Sequence, residues 1–181
     1  MAAGRQHVMQ TPGYSAANVM LFGAAGALSL AWAFEVIGGY APCPLCLMQR
    51  YAYYAAIPLT FAGLFALSAG YRLPAGLLFL FAGLGFLANA LLGGYHSGVE
   101  WAWWPGPDTC AAQSQSLAVG AGQNLLSALQ NNSVVSCSEA TFRLFGLSFA
   151  GWNAVISAGL GAFGLIAANA ALDTTLEANA V

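Results

Sequence analysis

The sequence predicts an all-α integral membrane protein: a four-helix bundle with a long cysteine-bearing loop between its third and fourth helices. Three observations carry that prediction. Of the 181 residues, 59% are hydrophobic and only 6% are charged, where a soluble domain carries roughly a quarter charged. So few charges cannot cover a globular surface with groups that water solvates well. Four apolar stretches each reach the roughly 20 residues that a helix needs to cross a hydrocarbon core. They are apolar throughout rather than alternating, which favours helices over a β-barrel.

The first stretch, about 16–37, reads AANVMLFGAAGALSLAWAFEVI. No basic run, short apolar core and small-residue cleavage site precede it, so it is expected to be retained as a crossing. The second runs over about 47–68 and contains Pro58, the third over about 73–95, and the fourth over about 147–171. All are rich in Gly, Ala and Ser, the residues that let membrane helices approach closely, and GLGAFG in the fourth suits a tight contact. The whole chain, 1–181, reads as a single membrane domain.

Three connections join the crossings. The first, about 38–46, carries Cys43 and Cys46; the second, SAGYRLP, is a short turn; the third, about 94–145, carries Cys110 and Cys137. Four crossings place the first and third connections on one side, so all four cysteines share a compartment, opposite both termini. Arg5 and Arg72 lie on the terminal side, Arg50 and Arg143 on the cysteine side, a tie by the positive-inside count. Arg50 falls inside a helix and answers to chemistry rather than topology, which tips the termini towards the cytoplasm. An even number of cysteines on the other face suits an oxidising compartment. The net charge of −2, spread evenly, points to neither nucleic acid nor an acidic partner.

Within the long connection, Trp101, Trp103 and Trp104 fit the aromatic belt of a membrane interface. Further on, QNLLSALQN sets Leu125, Leu126 and Leu129 on one helical face, for a short helix lying on the membrane or on the protein itself. The Gly, Ser, Gln and Asn around it predict a mobile segment.

Four cysteines permit three disulfide connectivities. Cys43 and Cys46 are close enough to pair as C-x-x-C; Cys110 and Cys137 would then close a loop. Inert staples and a zinc site are the alternatives. Zinc usually takes two close pairs or added histidines, whereas positions 111–136 separate the second pair and His96 is the one nearby histidine. No metal is expected. Reactivity is favoured by position: Cys46 stands where the second helix begins, and Pro44 suits its first turn. A helix N-terminus stabilises a thiolate, and the thiolate is the attacking species. Arg50, one turn on, is placed to assist; its alternative role is an interfacial anchor.

CPLCLMQR before an aromatic helix, GGYHSGVEWAWWPGPDTC, and CSEATFRLFGLSFAGWN together resemble the disulfide bond formation protein B (DsbB) family of bacterial inner membranes. The resemblance spans all four crossings and both cysteine loops. It implies a multi-pass protein that reoxidises DsbA, a soluble thioredoxin-like dithiol oxidase, and passes the electron pair to a membrane quinone, ubiquinone or menaquinone. By position, Cys110 is the sulfur attacked by DsbA, and Cys137 is its partner and the link to Cys43. Cys46 faces the quinone with Arg50 stabilising charge. His96 falls near a quinone-proximal histidine of the family, or is an interfacial hydrogen-bonding residue. Such a relay is physically coherent: a quinone lives in the bilayer, so the last thiol sits at the membrane edge, while a soluble partner requires the first on a reaching loop. Thiol–disulfide exchange joins them. No dinucleotide-binding glycine fingerprint is present. The alternatives are a membrane protein whose disulfides only staple loops, and an enzyme of the vitamin K epoxide reductase type, in which the cysteine pairs are expected in another order along the chain.

Overall fold

A computed structural model of the chain describes residues 12–107, 110, 137, 138, 140 and 142–179. Four long helices dominate it: α1, Pro12–Val36; α2, Pro44–Ser68; α3, Arg72–Glu100; and α4, Phe149–Asn179. The apolar spans within them run 25, 25, 29 and 25 residues. At 1.5 Å per residue each exceeds the roughly 30 Å of a hydrocarbon core. Neighbours in sequence pack side by side, and α1 closes the ring on α4, while the diagonal pair α2 and α4 barely meet. This is an up-down-up-down bundle. The chain is thus an all-α, multi-pass membrane protein with a cysteine-bearing loop region between its third and fourth helices.

The packing follows membrane rather than aqueous logic. On α1 the small residues Ala16, Ala17 and Ala24 face inward with Met20, while Phe22, Leu30 and Trp32 point out. Lipid solvates the large apolar side chains, so helices adhere where small residues let backbones meet. One such close approach joins α3 to α4: a Cβ on Gly164 would stand 2.6 Å from Gly83 Cα. Polar groups inside the bundle bond to one another. Asn89 Nδ2 donates to Ser157 Oγ at 2.9 Å, and Tyr53 Oη donates to Asn153 Oδ1 at 2.6 Å.

Helix ends depart from the sequence reading. The first helix begins at Pro12 and the second at Pro44, three to four residues earlier than expected, and α3 continues five residues past Tyr95 to Glu100. His96, Ser97, Gly98 and Val99 are all buried there, so a turn that looks loop-like by hydropathy is held by packing. Trp104 folds back on it, donating its indole N–H to Tyr95 O at 2.9 Å and filling the space over Gly98 that any Cβ would occupy. Before α4 the chain adds a feature the all-α reading lacked: two-residue strands β1, Arg143–Leu144, and β2, Leu147–Ser148. The linking residues Phe145 and Gly146 have φ of 53° and 83°, the two positive values a tight primed hairpin turn requires. The QNLLSALQN helix expected over 123–131 lies outside the described residues.

Candidate functional site

The site begins at the N-terminus of α2. Cys43 is the N-cap residue, extended at φ −75° and ψ 165°, with Pro44 in the first turn. Proline there gives up only an N–H that the helix leaves unbonded. Cys43 Sγ takes the place of a capping oxygen, accepting from Cys46 N–H at 3.2 Å. The sequence reading set the helix end at Cys46; the fold sets it at Cys43, and helix-end stabilisation of negative charge acts on that sulfur.

The two sulfurs are free and 2.8 Å apart. Beyond this contact, Cys43 Sγ also receives the capping N–H and faces His96 Nε2 at 3.7 Å. Together these contacts lower the Cys43 pKa to about 5: the Cys46 hydrogen bond contributes most, burial opposes it, and His96 adds to the lowering. The helix-end N–H and the imidazole thus favour negative charge on the more N-terminal sulfur.

Cys110 and Cys137 form a disulfide with Cα atoms 5.8 Å apart. Cys43, Leu45 and Cys137 make one buried cluster, with Cys46, Leu92 and Cys110 packed against it. All four cysteines, far apart in sequence, thus meet at one end of the bundle.

Beside Cys46 lies a cavity of about 410 Å³ between α1, α2, the β-hairpin and the start of α4. Most of its lining is apolar, including Leu28, Phe34, Phe145 and Ile156; its polar members include Cys46, Gln49, Arg50, Tyr53 and Asn153. Apolar walls with a few convergent polar groups describe a small-molecule site. The Arg50 guanidinium is paired there with Glu35 of α1. Behind the cavity a chain of side chains runs to the thiols: Asn153 Nδ2 donates to Gln49 Oε1 at 2.6 Å, and Gln49 Nε2 meets His96 Nδ1 at 2.9 Å. Of the residues singled out in sequence, Cys46 and Arg50 share the cavity, while His96 meets Cys43.

A family model described as "Disulfide bond formation protein DsbB" matches residues 14–167. The chain belongs to the DsbB family. The match runs from α1 into α4 and contains both cysteine pairs and the cavity. Uncharacterized protein RP370 of Rickettsia prowazekii (strain Madrid E) is similar, 28% identical over 135 residues, 72% of this chain and 73% of the relative. No solved structure matches significantly. As a DsbB-family protein the chain is an oxidoreductase of the membrane machinery of disulfide bond formation.

Several residues of this site were not singled out by the sequence analysis. Glu35 was visible as a lone acid in an apolar crossing, which by default marks function. Glu100 follows His96 by one helical turn, a spacing that carried no weight while 94–145 read as loop. Gln49 and Asn153 gave no signal; only the fold brings them together.

Proposed function

We propose that the protein is a protein dithiol:quinone oxidoreductase that reoxidises a DsbA-type periplasmic thiol oxidase. It works as a single membrane domain of a bacterial inner membrane, with cysteine-bearing loops in the periplasm and termini in the cytoplasm. The observation that carries this reading is the shared cluster of Cys110–Cys137 with Cys43 and Cys46, the last lining the cavity.

The exchanges balance at each step. A partner thiolate attacks Cys110, breaking Cys110–Cys137 and releasing the Cys137 thiolate; the second partner thiol then displaces Cys110, so the partner leaves oxidised. Oxidising power returns to this pair when Cys137 attacks Cys43 of a Cys43–Cys46 disulfide, releasing the Cys46 thiolate at the cavity. Cys110 then displaces Cys43 and restores Cys110–Cys137. The reduced Cys43–Cys46 pair left behind holds two electrons and gives up two protons on reoxidation. A quinone supplies a lipid-soluble acceptor of both. The cavity suits such a group, with a largely apolar lining, the Arg50 cation for developing negative charge, and the Asn153 and Gln49 amides for carbonyl oxygens. Cys43, stabilised as thiolate, is the sulfur that re-forms the disulfide with Cys46.

Mixing the purified protein with a reduced DsbA-type oxidase and ubiquinone tests this, with quinone absorbance followed in time. Turnover is expected, lost at the quinone step in Cys46→Ser and at the partner step in Cys110→Ser. Protein that retains its disulfides and reduces no quinone would sink the proposal and leave a membrane protein with stapled loops.

A further inference from the structure

We propose that the reduced Cys43–Cys46 pair, together with His96 and Glu100, forms a site for one thiophilic divalent cation of the zinc class. The donor atoms of Cys43, Cys46 and His96 all lie within 4.8 Å of one another. Ligand atoms around a tetrahedral zinc stand about 3.5–3.8 Å apart, from Zn–S and Zn–N bonds of about 2.3 and 2.0 Å. The sulfurs, 2.8 Å apart, need to part, and the histidine needs to close in, by no more than about an ångström each.

A fourth donor is at hand on the same helix turn as His96. Glu100 Oε1 lies 3.9 Å from His96 Nε2, and the Glu100 side chain is only 6% exposed. Its second oxygen, Oε2, is buried with no hydrogen-bond partner among the described residues. A buried carboxylate oxygen left unpaired is costly, and thiol–disulfide exchange gives it no role. A cation held by the thiolates and His96, whose Nε2 lies 3.9 Å from Glu100 Oε1, would draw this carboxylate in. The far nitrogen of His96 already meets Gln49, the kind of contact that orients metal-binding imidazoles. Two thiolates, one imidazole and one carboxylate make a donor set suited to zinc.

The sequence holds no second close pair of cysteines to complete a metal site; the fold brings His96 and Glu100 from α3 instead. Binding involves no electron transfer: the cation replaces whatever thiol protons remain, releasing at most two. Because a Cys43–Cys46 disulfide has no thiolate to offer, the site exists only in the reduced state. An occupied site ties up both sulfurs and blocks their reoxidation. The site does not depend on which quinone or partner the protein uses.

The test uses full-length protein carrying Cys110→Ser and Cys137→Ser, so that Cys43 and Cys46 are the remaining thiols, reduced and stripped with a chelator. Titration with Cd²⁺ is followed by thiolate-to-metal charge-transfer absorption in the ultraviolet. A band saturating at one equivalent is expected, absent after Cys43–Cys46 is oxidised. Glu100→Gln and His96→Gln are each expected to weaken binding by about tenfold or more. A band unchanged in both variants overturns the assignment, since the C-x-x-C alone would then hold the metal. A second readout does not rely on variants: Zn²⁺ is expected to slow alkylation of both thiols, and equal rates with and without Zn²⁺ overturn the site outright.

Discussion

Cys43 and Cys46 are chemically similar thiols three residues apart, yet their surroundings separate them. Cys43 receives a backbone N–H, meets the Cys46 sulfur at 2.8 Å and faces His96, whereas Cys46 lines the cavity. With its pKa lowered to about 5, Cys43 is mostly thiolate above that pH and loses nucleophilicity as the pH falls through it. An unperturbed thiol of pKa about 8.5 is only a few tenths of a per cent ionised at pH 6. In chelator-treated, reduced protein the first iodoacetamide label at pH 6 is therefore expected on Cys43, with a rate midpoint near 5. Cys46→Ala is expected to move that midpoint up furthest and His96→Leu by less, in the order of their contributions. Peptide mapping that finds Cys46 labelled first, or a midpoint at the usual cysteine value, removes the assignment. Arg50 makes a parallel case. Removing a charge-assisted hydrogen bond worth about 1.5–3 kcal/mol lowers a rate by roughly 10-fold or more. Arg50→Ala is expected to slow quinone reduction by that much while leaving exchange with the partner intact; unchanged quinone kinetics would leave Arg50 only an anchoring role.

Between elements, two contacts set the geometry of the site. Glu35 on α1 pairs with Arg50 on α2 and so holds one wall of the cavity against the other. With the Arg50 side chain 13% exposed and that of Glu35 35%, the pair is neither fully buried nor free in solvent. Breaking it by Glu35→Ala is expected to cost about 1–3 kcal/mol, below the 3–5 of a fully buried pair. The double variant Glu35→Gln, Arg50→Gln is expected to recover part of that loss in thermal unfolding; additive losses would show that the pair is not coupled. On the other side of the bundle, Gly83 and Gly164 let α3 and α4 touch. Gly164→Leu forces them apart and is expected to destabilise by about 1–3 kcal/mol or more, whereas Gly159→Leu, which meets open space, is expected to be neutral. The crossings were legible because long apolar runs have few other solutions in a membrane. Their ends were not: hydropathy sees polarity, while α3 is extended to Glu100 by tertiary burial of His96 and Ser97. The β-hairpin also escaped notice, because LFGL reads as part of an apolar run and only backbone φ values reveal the turn.

At the scale of the whole molecule, the bundle brings together sulfurs from two loops. The cysteines and Arg50 were readable as a redox constellation because their types and spacing carry the chemistry. Their meeting with Glu35, Glu100, Gln49 and Asn153 was not, since each arrives from a different helix face and no local pattern marks it. The juxtaposition of the two pairs has a direct consequence. Cys43 and Cys137 belong to one buried cluster, so exchange between the pairs requires only that a sulfur already nearby attack in line. A chain carrying Cys46→Ser and Cys110→Ser keeps just these two thiols. Mild oxidation with diamide is expected to join them into a single intramolecular disulfide, which covalently links the α2 end to the long loop. Proteolysis between positions 43 and 137 followed by non-reducing gel electrophoresis would then leave the fragments connected, and reduction would release them. The companion variant Cys46→Ser, Cys137→Ser, which keeps Cys43 and Cys110, is expected to cross-link more slowly, because Cys110 only flanks the cluster that buries Cys43 with Cys137. Equal rates in the two variants would show that the loop presents either sulfur freely, and that the packing of Cys137 against Cys43 does not set the direction of exchange.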